Sequence, residues 1–182
     1  GALLRGLREG VGHDGRALFP VMPYVNYRAL SDEDARSVVV WLKTLKPVRR
    51  PQPPTRIDFP VSLFIRGVPR PVDGVSAPPD DEVSRGRYLV TLAGCRECHS
   101  PLDGRGRIVK GKALAGGRPF SGQGFSVTSP PLDLSATSFL TVPRTAFIAR
   151  FKTPVPPTSG NSVMPWPAFS GLTEDDLGAI YE

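Results

Sequence analysis

Apolar residues along this chain recur at helical spacing in five short stretches, and no stretch of useful length alternates as a strand would. The clearest is "SDEDARSVVVWLKTL", residues 31–45, where Ser31 is placed to cap the N-terminus and Asp32, Glu33 and Asp34 fill the first turn. Lys43 and Lys46 lie near the other end, which suits the helix dipole, and Pro47 forbids continuation. Thr173 with Glu174, Asp175 and Asp176 repeats this start near the end of the chain. These carboxylates read as solvent-exposed helix starts rather than as a general acid–base pair. "EVSRGRYLVTLAG", residues 82–94, reads as a helix with Tyr88, Leu89 and Leu92 on its apolar side. "RTAFIARF", residues 144–151, reads as a shorter helix, and "ALLRGLREG", residues 2–10, as the last turns of another. The class this pattern predicts is all-α with long loops.

Composition adds the joints. Nine of the 21 prolines fall in the 36 residues from Pro47 to Glu82, in runs such as "RRPQPP" and "SAPPDDE". That is the composition of an extended, semi-rigid linker. Within it "IDFPVSLFIRGVP", residues 57–69, is apolar but too short and too interrupted by proline to span a bilayer, and packing against a neighbouring domain is the better reading. The expected organisation is therefore residues 1–47, a linker over 48–82, and a compact unit over 83–182. The chain begins at Gly1 without an initiator methionine and stops inside an amphipathic run, so it reads as a piece of a longer protein, and the lack of a signal peptide says nothing about export. A net charge of +6 and a pI of 9.7 raise the question of nucleic acid. Scattered arginines without an aromatic platform argue for a solvated basic surface instead.

A repeat links the two ends. "LFPVMPYVNYRALSDEDA", residues 18–35, matches "NSVMPWPAFSGLTEDDLG", residues 161–178, so that Met22 falls on Met164, Pro23 on Pro165, Tyr24 on Trp166, Leu30 on Leu172 and Ser31 on Thr173. These are the only two methionines in the protein.

The segment that carries chemistry occurs once. "CRECH", residues 95–99, holds both cysteines and one of the two histidines, and C-x-x-C-H is the haem-attachment pattern. Two thiols three residues apart on a helical turn can form thioethers to the two vinyl groups on one edge of a porphyrin. The adjacent imidazole then lies beneath the iron, with its other ring nitrogen expected to donate to a backbone carbonyl that the sequence does not identify. Zinc needs further ligands, and the chain has no other cysteine; His13, the one spare histidine, sits in the loop "GHDGRA" of the other unit. A redox dithiol lacks its βαβ context, and a disulfide leaves His99 without a role. Met164, in a proline-rich stretch read as helix-free, is the candidate sixth ligand, since a thioether is a soft neutral donor that favours ferrous iron. The bland alternative for it is core packing.

The segments "RGRYLVTLAGCRECHSPLDGRG", "AGGRPF", "VMPWPAFSGLTEDDLGAIY" and "PVMPYVNYRALSDEDARSVVVWLKTL" resemble multihaem class I cytochromes c, more narrowly the cytochrome c subunits of bacterial membrane-bound alcohol- and gluconate-type dehydrogenases. The resemblance implies a class I cytochrome c-like domain over 83–182 with its final helix cut short. It gives Cys95 and Cys98 as attachment sites for haem c, His99 as proximal ligand and Met164 as distal ligand. It implies that residues 1–47 are the C-terminal part of a preceding cytochrome c domain, with Met22 the distal ligand of a first haem whose attachment motif lies upstream. Trp41 takes the place of the aromatic residue that packs on that domain's first helix. At least two haems in the parent, periplasmic export, a dehydrogenase subunit and a downstream acceptor as partners, and membrane association through parts outside this chain all follow from the likeness. "FSVTSPPLDLSATSFLTVP" replaces two stretches common in the family, so the propionate contacts are open, with Arg118 in "GGRPF" as a guess. The expected function is electron transfer rather than catalysis. The alternatives are a haem enzyme with a displaceable methionine, peroxidase-like, and a metal-binding module built on Cys95, Cys98 and His99.

Overall fold

The computed structural model describes residues 1–18, 22–50, 53, 56–64, 70–78, 80–122, 124–133, 141–153 and 163–182. Parts of the expected linker, at 51–52, 54–55, 65–69 and 79, and the loop before Met164, at 154–162, lie outside the described residues. The chain divides into two units, Gly1–Pro78 and Pro79–Glu182.

Unit 1 is built from α1 (Ala2–Glu9), α2 (Tyr24–Tyr27), α3 (Asp32–Thr44) and the single turn α4 (Val61–Phe64). Helix α1 ends at Gly10, whose φ of 68° is the left-handed conformation that terminates helices. A side chain there would also strike the Tyr24 ring, 2.2 Å from where its Cβ would sit, so α1 and α2 meet closely only because Gly10 has none. Ser31 caps α3 by accepting from the Asp34 amide at 3.0 Å, as the sequence leads one to expect. Leu7, Val11, Tyr24, Leu30 and Ala35 form the buried apolar set. Arg8 is buried beside them and donates to Asp32 at 2.6 Å, and its Nε and one terminal nitrogen have no hydrogen-bond partner among the described residues. Residues 70–77, read from the sequence as linker, form neither helix nor strand and are hydrogen-bonded to this unit. The Asp32 amide donates to the Val75 carbonyl at 2.8 Å, and Arg28 donates to the Arg70 carbonyl at 2.7 Å.

Unit 2 contains α5 (Glu82–Leu92), α6 (Cys95–Cys98), a two-stranded antiparallel hairpin of β1 (Pro119–Gly122) and β2 (Phe125–Thr128), then α7 (Arg144–Lys152), α8 (Trp166–Phe169) and α9 (Glu174–Tyr181). Helices α5 and α9 cross at Gly86, where an added Cβ would lie 1.8 Å from the Ala179 carbonyl oxygen. Arg85 ties the crossing with a pair of bonds to Asp176 at 2.5 and 3.0 Å. Arg144 bridges Glu82 on α5 and Glu182. Behind the crossing, Phe147, Phe151 and Leu177 form a core against which Met164, Trp166, Phe169 and Tyr181 pack. The rings meet at an angle: Phe147 to Tyr181 at 5.4 Å between centroids, Phe151 to Trp166 at 5.2 Å.

Two elements correct the expectation. The hairpin lies in a stretch read as loop: each strand has only four residues, so Phe120, Phe125 and Val127 give too brief an alternation to register as a strand. The stretch after Met164 is not helix-free, since α8 begins with Pro165 as its cap and carries Pro167 in its first turn, where the missing amide hydrogens are not needed. The fold is helix-rich with one small sheet, compatible with a cytochrome c-like domain.

Candidate functional site

Unit 2 encloses a cavity of about 560 Å³ between α5, the hairpin, α7 and the loop carrying Met164. Its wall is mainly apolar, with Val90, Leu114, Phe120, Val127 and Leu132 among the lining side chains. Cys95, Cys98, His99 and Met164 all reach the same wall. The sequence proposed these four for one site, and the structure brings them to one cavity although Met164 lies far along the chain.

The C-x-x-C-H segment owes its shape to Gly94. With φ of 68°, it breaks the chain out of α5 and starts the single turn α6, on which Cys95 and Cys98 sit three residues apart. His99 closes that turn, its amide donating to the Cys95 carbonyl at 2.9 Å, and its side chain is turned inward, 9% exposed. Its Nδ1 lies 2.8 Å from the Pro130 carbonyl oxygen. A carbonyl only accepts, so Nδ1 carries the proton and Nε2 is left with its lone pair free for a metal. This is the carbonyl the sequence left unidentified.

Gly116 and Ser100, neither assigned a role from the sequence, brace the backbone around that bond. The Gly116 amide donates to the His99 carbonyl at 2.8 Å. Gly116 has φ of 68°, and a Cβ there would fall 2.5 Å from the Pro131 nitrogen and 2.7 Å from the Pro130 carbonyl carbon. Only glycine therefore lets the 129–131 backbone lie against this turn. Ser100 is fully buried and accepts from the Leu114 amide at 2.9 Å. The "GG" before Arg118 was the one available signal, since paired glycines often mark a close backbone approach.

Arg118 does not line the cavity. It donates to the Glu97 carbonyl within α6, and its guanidinium stacks 5.6 Å from the Phe120 ring centroid, so it braces α6 from outside. Met22 is half-buried in unit 1, its amide donating to the Leu18 carbonyl at 3.1 Å, and His13 is an exposed turn residue in the same unit.

Burial pushes the Cys95 thiol up to about 11, with the neighbouring Glu97 charge adding to the shift. Such a thiol is a poor nucleophile at neutral pH, the opposite of the depressed thiol of a redox dithiol. Neither cysteine is in a disulfide. Among the described residues no group of three or more His, Cys, Asp or Glu side chains is gathered closely enough to hold a metal ion. The donor set, one imidazole nitrogen, one thioether sulfur and two thiols on a mainly apolar wall, would suit a planar macrocycle with a central metal.

Comparison with known proteins gives the same class. No family model matches the chain. It is 40% identical over 110 residues to the fructose dehydrogenase cytochrome subunit of Gluconobacter japonicus, an alignment covering 53% of this chain and 22% of that protein. It is 36% identical over 126 residues to the cytochrome c subunit of the quinone-type alcohol dehydrogenase of Gluconacetobacter polyoxogenes, covering 63% and 26%. A diheme cytochrome c-type protein of Cereibacter sphaeroides is 34% identical over 142 residues, covering 71% and 47%. The likeness is thus to cytochromes c as a class. Within that class it is to the cytochrome c subunits of dehydrogenases, and the chain spans less than half the length of each of these three relatives. Among the described residues no helix is long and apolar enough to cross a membrane.

Proposed function

We propose that unit 2 binds one haem c covalently and that the chain is an electron-transfer part of a cytochrome c subunit serving a dehydrogenase. The observation that carries this reading is the convergence of Cys95, Cys98, His99 and Met164 on one apolar cavity. Cys95 and Cys98 would hold the group by thioethers, and His99 Nε2 and the Met164 sulfur would ligate its iron. When bound, haem c supplies a one-electron change between ferric and ferrous iron. The chain's own residues do the rest. The Pro130 carbonyl keeps the proton on Nδ1 of His99 and fixes the ring orientation. The apolar wall keeps water from the macrocycle, and the thioether of Met164 favours the reduced state, so both raise the potential. With protein ligands on both sides of the iron no position is left for a substrate, which makes transfer rather than catalysis the task.

The same reading assigns residues 1–47 to the C-terminal part of a preceding cytochrome c domain, with Met22 as the distal ligand of a first haem, 48–82 as the connection, and 83–182 as the second domain. It is supported by the repeated methionine loop and by the uncovered face of α3, where Val40 and Trp41 are 64% and 60% exposed. The parent then carries two or more haems at the periplasmic side of the cytoplasmic membrane, passing electrons from a dehydrogenase subunit toward a respiratory acceptor. The names of the relatives support the dehydrogenase partner.

The test is the spectrum of the full-length parent made in a host competent for cytochrome c maturation. Met164→Ala is expected to abolish one methionine–iron charge-transfer band while leaving the haem attached. An unchanged band set in that variant removes Met164 from the iron, and a high-spin spectrum of the unaltered protein speaks for a haem enzyme instead.

A further inference from the structure

We infer that Arg150 sets the redox potential of the unit 2 haem, acting as a fixed positive charge in the wall of its cavity. The inference rests on the haem reading above. Of the side chains lining the cavity, Arg150 on α7 is the one whose ordinary state at neutral pH is charged. It forms no ion pair among the described residues, and its guanidinium lies over the ring of Trp166, 4.2 Å from the centroid. Trp166 in turn packs edge-on against Phe151 and begins the helical turn just after Met164. No carboxylate among the described residues therefore neutralises the charge. A rigid aromatic stack fixes it beside the loop of the proposed distal ligand.

Three other arginines of this unit spend their charge on ion pairs, Arg85 with Asp176, Arg107 with Asp103 and Arg144 with Glu82 and Glu182, while Arg118 donates to the Glu97 carbonyl. A cation–π contact of this kind orients the guanidinium without cancelling its charge. In an apolar wall such a charge is screened far less than on the surface. Adding one electron to the ferric site lowers the positive charge near Arg150, so the arginine favours the reduced form.

The experiment is a redox titration of the full-length protein against one-electron dyes of known potential, following the unit 2 haem by its absorbance. Arg150→Gln and Arg150→Leu are each expected to shift the one-electron equilibrium about tenfold toward the oxidised form, which is about 59 mV for a one-electron couple. Arg150→Lys, which keeps the charge, should stay within about threefold of the unaltered protein. Equal shifts in the lysine and neutral variants would overturn the inference, because packing rather than charge would then be responsible. So would an unchanged potential in both neutral variants, or loss of the methionine–iron band in both, which makes Arg150 a packing element. The haem reading fails by a different observation, absence of covalently attached haem in the unaltered protein.

Discussion

Helices α3 and α9 start from nearly the same sequence and end in different surroundings. Each has a hydroxyl cap that accepts at 3.0 Å from the amide three residues on, and each fills its first turn with three acids. Ala35 and Leu177, at matching places in the repeat, are both 0% exposed. Two residues further the likeness ends: Ala179 is 2% exposed beneath α5, whereas its counterpart Ser37 is exposed. The local code builds the helix in both units, but among the described residues a second helix covers the outer face only in unit 2. Burial here is a property of the partner, not of the segment.

The sharpest way to break the comparison is to remove that partner's fit. Gly86→Leu places a side chain where the Ala179 carbonyl lies and is expected to cost unit 2 about 3 kcal/mol or more, read as a fall in its melting temperature. Ser37→Leu, on the exposed face of α3, should change the stability of unit 1 by less than about 0.5 kcal/mol. If both changes cost the same, the contrast between the two helices is an illusion.

Trp41 sharpens it in the other direction. In this chain Trp41→Ala is expected to cost under about 0.5 kcal/mol, because the ring is already exposed. In a parent where a preceding helix covers that face, the same change should cost about 3 kcal/mol, as for a buried tryptophan. Equal small costs in both would remove the proposed upstream domain's contact with α3.

The caps come next. Ser31→Ala and Thr173→Ala should each lower stability by about 1 kcal/mol, measured by denaturant unfolding, since each leaves one helix-start amide without its acceptor.

Acid gives the smallest effect. Hydrogen bonds from Arg8 and from the Val75 amide hold Asp32 below the usual carboxylate range. Burial pushes Asp176 up, but Thr173 and Arg85 together outweigh it and hold that carboxyl low as well. A depressed carboxyl contributes stability at pH above its unfolded value and loses it as pH falls through the lower folded value. Both units should therefore weaken only as the solution is taken below the ordinary carboxylate range. Arg85→Leu should flatten that acid dependence for unit 2, in melts recorded against pH, and leave that of unit 1 unchanged.

Much of this was legible because it is local. The five long helices, the Ser31 and Thr173 caps and the C-x-x-C-H turn are written in contiguous residues, so propensity and spacing suffice. What the sequence concealed depends on contacts between distant segments. The Pro130 carbonyl reaches His99 across 31 positions, and Gly116 matters only because the 129–131 backbone lies upon it. The uncovered face of α3 was legible only as a position for Trp41, not as exposed surface. The turn α8 escaped for another reason: prolines that normally end helices are here confined to the cap and first turn, where they fit.

The central claim is that Cys95 and Cys98 carry haem c. Mass analysis of the denatured full-length protein, made in a maturation-competent host and cleaved into peptides, tests it most directly. The peptide containing both cysteines should carry one haem, and Cys95→Ala with Cys98→Ala should free it. Recovery of that peptide from the unaltered protein with both thiols unmodified would contradict the account.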